Sequence, residues 1–600
     1  MFFTNFNTMT PEEIDAKVKA NPKAAGPDET CACLAGGTLK LKLEGEYAPE
    51  QLDYEFKDEA TLSFTENGQT HEAPYTVDCL GRIALITHLV PGTTRGWHIV
   101  YDSETQLVTV FETWFGITVL VGMDLGGERE PTGMREIYRE IQRQYYFGYN
   151  DIGQGAPEKL HTTTNRLEGR GMHWLFGSGS EILTYFPSVV CSTTVSLDEP
   201  EDTLTVTYPS DYIRIDDEYY IFAKWGVEFG GEMHLHVLNL LDMEAIGFEF
   251  GFNEADELVY EFCEAWLTVT GDIAHLETIT LNGDKAPPMA MLRPGKGARY
   301  GYRPRDIDVP MTNEEALEAA KTQQIFEFGG PNIMMSRNTL EFKYDLVGKQ
   351  FSLSYDHVRT PYAWSAANTP EKLIQEYEYD FISEETLKWR ERGGDWHEEK
   401  YVCFEPARDI WFFMHMLTGD PDHASIAHAV DFSNGLTTGV YGRIGSWRSG
   451  WEIGATVLFG TAAGESIAPA PFSKRHDFTT DLVGKAYAWA YSETMSSIHV
   501  YSSPDSYSWT IFQGDNSGGA TWSSPGFYIK LREDAYLFQW VEENCNGSQG
   551  LVCINPQIMH DGGFFFGVSH NGLRLNITGA YARSLGTFNV NPYFDDKGNL

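Results

Sequence analysis

Short stretches of alternating apolar and polar residues dominate the chain. Tyr212-Ile-Arg-Ile-Asp-Asp-Glu-Tyr-Tyr-Ile-Phe-Ala-Lys-Trp225 and Tyr528-Ile-Lys-Leu-Arg-Glu-Asp-Ala-Tyr-Leu-Phe-Gln-Trp540 each predict a strand, a polar turn and a second strand. A period of two puts successive side chains on opposite sheet faces. Turn signals recur every 8–12 residues or so, the spacing of a small sandwich or barrel. Helical spacing is confined to Met134–Arg143 and Asn313–Lys321, and both are predicted as helices.

The strand pattern repeats. Leu346-Val-Gly-Lys349 and Leu482-Val-Gly-Lys485 each open a segment, with weaker copies at Leu34-Ala-Gly-Gly37 and Leu167-Glu-Gly-Arg170. A hairpin follows each, starting at Tyr75, Tyr212, Tyr401 and Tyr528. The first and third copies end that hairpin in His88 and His415, and they carry Arg82 and Arg408. The second and fourth are led in by His161 and His476. Alternate copies therefore match, as if one two-domain unit had been duplicated whole. The expected fold is mainly β: four small antiparallel barrels in two tandem two-barrel units. Their expected bounds are 31–152 (with the trailing helix), 153–290, 341–470 and 471–600, with an N-terminal segment 1–30 and a connector 291–340.

Charge then narrows the partners. The net charge of −42 repels phosphate backbones and anionic membrane surfaces, so neither nucleic acid nor membrane is expected as a partner. The start Met1-Phe-Phe-Thr-Asn-Phe-Asn-Thr8 lacks the basic and apolar regions of a signal peptide, and no apolar run is long enough to span a bilayer. A cytoplasmic location is the expectation. Eight cysteines in 600 residues are too few for a disulfide scaffold, and no C-x-x-C pair occurs; Cys31-x-Cys33 reads as a loop. No phosphate-binding loop, dinucleotide fingerprint or nucleophile elbow is present, so no cofactor is expected. Oligomeric state is not legible.

Thr480-Asp-Leu-Val-Gly-Lys485, His499-Val-Tyr501, Tyr507-Ser-Trp509, Tyr528-x-Lys530 and Tyr536-Leu-Phe-x-Trp540 resemble the C-terminal domain of the MoaF family. Leu346-Val-Gly-Lys349, Leu387-Lys-Trp389 and Val430-Asp-Phe432 through Thr438 resemble its N-terminal domain. The resemblance covers about residues 340–590 and, through the duplication, extends faintly to 31–290. It implies calycin-like barrels of lipocalin shape, two MoaF units in tandem, and an association with molybdenum cofactor biosynthesis. It supplies no catalytic residue set. Val541-Glu-Glu543 and Gly226-Val-Glu228 depart from the family pattern after the barrel Trp.

The candidate chemistry lies in the strands. His88 and His98 are read as matching His415 and His428, each flanked by apolar residues. Facing one cavity, such imidazoles can move protons on a bound molecule; the alternative is a set of packed core histidines. His234-Leu-His236 shares a strand face, but no third ligand is spaced to complete a metal site, and no metal is expected. Aromatic stripes (Trp411 and Phe413 beside His415; Tyr536 and Trp540 around Phe538), with His499, Tyr501, Tyr355 and Trp225, are either core or the lining of a pocket. Two functions stay open. One is a cofactor-independent lyase, isomerase or cyclase acting by proton transfer on a small apolar or aromatic molecule. The other is a non-catalytic binder or carrier of such a molecule.

Overall fold

The computed structural model describes residues 34–45, 47–91, 95–121, 135–189, 191–198, 205–226, 232–252, 258–274, 280–281, 284–285, 337–361, 373–418, 424–444, 453–513, 521–542, 548–569 and 572–594. The segment 1–30, the Cys31-x-Cys33 loop and the connector helix expected at 313–321 lie outside them.

Four closed antiparallel barrels follow one another along the chain. The first runs from strand Thr38–Glu44 to strand Arg135–Asn150, and the third from Gln350–Arg359 to Ile453–Gly464. In each, consecutive strands pair and the last returns to the first. The second and fourth close instead where strand Cys191–Ser196 meets Thr205–Arg214, and where Thr521–Arg532 meets Ala535–Glu542. Both even barrels carry an extra two-residue strand, Thr162–Thr163 or Asp477–Phe478, on the corresponding strand. Closure pairs the barrel strands on both sides, which is how small all-β domains limit edge pairing.

One expectation is corrected here. Residues 135–143 are not helical but begin the strand Arg135–Asn150, paired with Leu107–Val121 over its whole length. Ile137 and Ile141 are four apart, a spacing that keeps two side chains on one face of a helix or of a strand alike. The first barrel needs an eighth strand to close, and that tertiary demand overrides the local helical pattern.

Burial tells which faces meet. Strand Glu376–Phe381 alternates buried and half-buried residues, as expected with one face in the barrel and one in water. Strands Ile410–Met416 and Ser425–Asp431 are buried at every position. Their outer faces pack on the next barrel: Phe412, Met414 and Ala429 share one cluster with Leu537, Cys553 and Phe564. The first and second barrels meet likewise, through Leu85, Val100 and Phe111 against Leu235, Phe248 and Tyr260.

The histidines that lead into the even barrels fasten these pairs. His161 Nδ1 lies 2.8 Å from Thr109 Oγ1, and His476 Nδ1 lies 2.8 Å from Thr438 Oγ1. Ion pairs close the same junctions with the charges exchanged. Arg82 of the first barrel bonds Asp216 of the second, whereas Arg532 of the fourth reaches Asp431 of the third at 3.4 Å. Arg408 does not repeat the role of Arg82: its side chain is exposed, and its carbonyl accepts from Arg532.

The two halves join through their even barrels. The seam is a buried Ser/Thr surface, with Thr205 Oγ1 2.6 Å from Ser506 Oγ and the Tyr185 hydroxyl donating to the Ser502 carbonyl at 2.9 Å. Among the described residues no helix is long and apolar enough to cross a membrane.

Candidate functional site

The third barrel holds a connected polar chain. Trp411, Phe413 and His415 alternate inward from strand Ile410–Met416, and His428 faces inward from the neighbouring strand. His415 Nδ1 is 2.8 Å from the Met416 carbonyl, which can only accept, so Nδ1 carries the proton and Nε2 accepts. The Tyr379 hydroxyl, 2.9 Å away, donates to that Nε2. Its oxygen then accepts from His428 Nε2 at 2.6 Å. His428 Nδ1 is left as an acceptor, and the Tyr355 hydroxyl donates to it at 2.5 Å. With both rings neutral, the tautomers and the direction of the chain follow from these contacts. Gly439, opposite His428, makes room: a Cβ there would sit 3.0 Å from the Tyr355 hydroxyl. Burial pushes His415 down to about 4 and His428 well below its ordinary value, so both rings are neutral at pH 7. The open end is the Tyr355 oxygen, with Thr437 Oγ1 3.3 Å away.

The first barrel keeps only half of this chain. His88 Nε2 is 3.1 Å from the Tyr54 hydroxyl and Nδ1 is 3.3 Å from the Leu89 carbonyl, the same roles as Tyr379 and His415. His98 does not match His428. Strand pairing sets His88 opposite Trp97 and His415 opposite Ile426, so the residue at His428's position is Ile99. A shift of one residue reverses the face. His98 therefore turns outward, between Thr87 Oγ1 (2.6 Å) and Thr113 Oγ1 (2.9 Å), with its ring 4.9 Å from Phe248 of the second barrel. It is a neutral junction histidine, pushed by burial to about 3.

The fourth barrel has an aromatic interior. Tyr501, Tyr528, Phe538 and Trp540 pack there with Tyr507 and His499, ring centroids 4.8–5.9 Å apart for Phe538–Trp540 through Tyr507–Trp540. Tyr536 lines the same face, and its hydroxyl bonds Asp481 at 3.0 Å. The wall opposite Trp540 is Gly550, where a Cβ would fall 2.2 Å from the indole. Several polar atoms here are buried with no hydrogen-bond partner among the described residues: Trp489 Nε1, His499 Nδ1, the Tyr501 hydroxyl, Trp509 Nε1 and Ser524 Oγ. The other ring nitrogen of His499 lies 3.2 Å from the Tyr491 hydroxyl, and burial lowers the ring to about 3.

Trp225 is not the counterpart of Trp540. Tyr212 pairs with Phe222 as Tyr528 pairs with Phe538, which puts Lys224 at the position of Trp540. Trp225 faces the first barrel, where the Arg143 guanidinium stacks 3.1 Å from its ring centroid. Lys224 points into the second barrel, as do His234 and His236. The alternation Tyr220, Phe222, Lys224 was the available signal for Lys224. Tyr377-Glu-Tyr379 was the equivalent signal for the unpredicted Tyr379.

Among the described residues no group of His, Cys, Asp and Glu is placed to hold a metal ion. Of the described cysteines, Cys191, Cys263, Cys403 and Cys553 are free and Cys79 is disulfide-bonded.

Comparison with known proteins picks out the aromatic barrel. Residues 476–587 match the family described as MoaF C-terminal domain, from the junction His476 to the end of the last barrel strand. The chain is also 26% identical over 212 residues to Protein MoaF of Klebsiella aerogenes, covering 34% of this chain and 74% of that protein. Most of the fourth barrel thus matches the MoaF C-terminal domain, and the chain is similar in part to a MoaF protein.

Proposed function

We propose that the fourth barrel binds a small aromatic molecule that carries oxygen acceptors. The observation behind this reading is the set of unpaired polar atoms facing an aromatic interior. Leaving one such atom buried and unpaired costs about 1–3 kcal/mol, so a cluster of them is retained against stability. Indole nitrogens only donate, and a phenol donates readily, so the complementary ligand presents carbonyl, phenolate or ether oxygens. Aromatic faces supply the affinity and the polar atoms fix orientation, the usual division in small-molecule sites. An eight-stranded barrel encloses about one small ligand. Native mass spectrometry of the full chain, purified without organic additives, tests this. A bound mass lost on denaturation is expected; a bare chain that also fails to bind any member of a phenol, flavonoid and quinone panel would overturn it.

A second reading has its own support. The Tyr355–His428–Tyr379–His415 chain runs in one direction from an open phenol oxygen. A proton taken up at Tyr355 can pass inward to His415, and the neutral, low-pKa rings return it readily. That suits proton transfer on a molecule held in the third barrel, the lyase, isomerase or cyclase class.

A further inference from the structure

The second barrel carries charged groups where the fourth carries an aromatic wall. Across three adjacent strands Lys224 pairs with His234 and His234 with Glu249. The matching row of the fourth barrel is Trp540, Gly550 and Phe565, so the fold itself does not require the charges. Lys224 is the one lysine among the buried residues of the described chain, 4% exposed. Among the described residues its Nζ has one hydrogen bond, to Thr194 Oγ1 at 3.3 Å, and it lies 4.5 Å from the Tyr208 ring centroid. It forms no ion pair among the described residues. An ammonium has three protons to place, and here one hydrogen bond and the Tyr208 ring face receive them, so burial is only partly offset and the proton is held less tightly than on a surface lysine.

His234 beside it is set up as an acid. Its Nδ1 is 3.0 Å from Glu249 and its Nε2 is 3.4 Å from Glu232. Burial works to lower this imidazole, but Glu249 and Glu232 outweigh it and raise the pKa above its ordinary value. Lys224 is pushed down by burial to about 8, with Glu249 and Glu232 only partly opposing. His236, Cys263 and the exposed Glu261 complete the titratable groups on this face. Glu249 and Glu232 are 35% and 20% exposed, so the row opens to water at its acidic end.

We propose that Lys224 condenses with a small aldehyde or ketone to form an imine, with His234 as the proton donor. The neutral Nζ attacks the carbonyl carbon, and the C=O π pair moves to oxygen, which takes a proton. The carbinolamine C–O bond then breaks with a proton supplied by His234, water leaves, and the nitrogen gives up its second proton, which restores His234. One C=O and two N–H bonds become one C=N bond and one water. No oxidant or further reactant is needed. A carbonyl compound meets a desolvated amine and a fixed acid here, the pairing that makes a lysine a carbonyl nucleophile.

The test is reductive trapping on the full chain with propanal and cyanoborohydride at pH 7, read by intact mass and peptide mapping. The expected result is one propyl adduct per chain, on Lys224, formed at least tenfold faster than on any other lysine. His234→Gln should slow it about tenfold, and Lys224→Met should abolish the fast adduct while melting near the wild type. Adducts spread evenly over surface lysines, or a fast adduct that persists in Lys224→Met, would overturn the proposal. Site mapping in the wild-type chain decides the matter even if a variant fails to fold.

Discussion

His428 and Ile99 occupy the same position in the third and first barrels, and the exchange decides whether a barrel interior carries a polar chain. Where His428 stands, Tyr355 and Tyr377 stand with it; where Ile99 stands, the neighbouring positions hold Leu43 and Leu52. The Tyr355 hydroxyl depends on His428 for its hydrogen bond, and the Tyr377 ring packs edge-on against the His428 ring, 5.2 Å between centroids. The first barrel retains the Tyr54–His88 pair, which needs nothing further than a carbonyl.

This coupling is measurable in denaturant. His428→Ile leaves Tyr355 without its acceptor and should destabilise the chain by about 2–4 kcal/mol. Adding Tyr355→Leu, the pairing of the first barrel, removes the stranded hydroxyl. The double variant should be less destabilised than the sum of the single ones by about 1–3 kcal/mol. Simple additivity would show that the hydrogen bond at 2.5 Å carries no coupling.

The paired barrels and their order were legible because the repeats preserve turn positions and strand period. The histidine correspondence was not. His98 and His428 both follow an apolar strand at similar distances, but facing is set by pairing register, and register shifts by one residue cannot be seen from spacing. The same one-residue shift hid Lys224 behind Trp225. Strands such as Ile410–Met416 add a second difficulty: with barrel core on one side and the next barrel on the other, every residue is buried and the sequence loses its alternation. The strand at 135–150 was missed for a different reason, the shared spacing of Ile137 and Ile141.

Acid should unfold this protein early. Burial holds His88, His161 and His415 near 4 and His98, His236, His476 and His499 near 3, with His428 also well below 6.5. Between about pH 6.5 and 4 the unfolded chain takes up these protons and the folded chain does not. Stability therefore falls with falling pH through that window, each ring contributing up to about 1.4 kcal/mol per pH unit. Melting temperature measured from pH 7.5 to 4 should drop steeply below pH 6.5. A flat profile to pH 4.5 would contradict the buried, neutral assignment.

Asp561 predicts an opposite trend at one site. Burial raises its carboxyl to about 8, against one hydrogen bond from the Ala580 amide at 2.7 Å. The unfolded carboxyl ionises near pH 4 while the folded one stays protonated to about 8, so this residue costs stability increasingly across that range. Asp561→Asn keeps an acceptor for Ala580 and cannot ionise. Its melting temperature should exceed the wild type at pH 7.5, and the gap should narrow toward pH 4.5. A variant less stable than the wild type at pH 7.5 would show that the ionised form is accommodated.

The proposed ligand site is tested most directly at Tyr501, whose hydroxyl is fully buried and has no partner among the described residues. Tyr501→Phe removes that polar atom and nothing else. In the ligand-free protein the change relieves an unsatisfied group, so the melting temperature should hold or rise. In the complex it deletes a hydrogen bond to the ligand, so affinity for the co-purifying molecule, by titration calorimetry, should fall about tenfold, some 1.4 kcal/mol. Stability up and affinity down is the predicted result. Unchanged affinity, with or without a loss of stability, would contradict a ligand site in the fourth barrel.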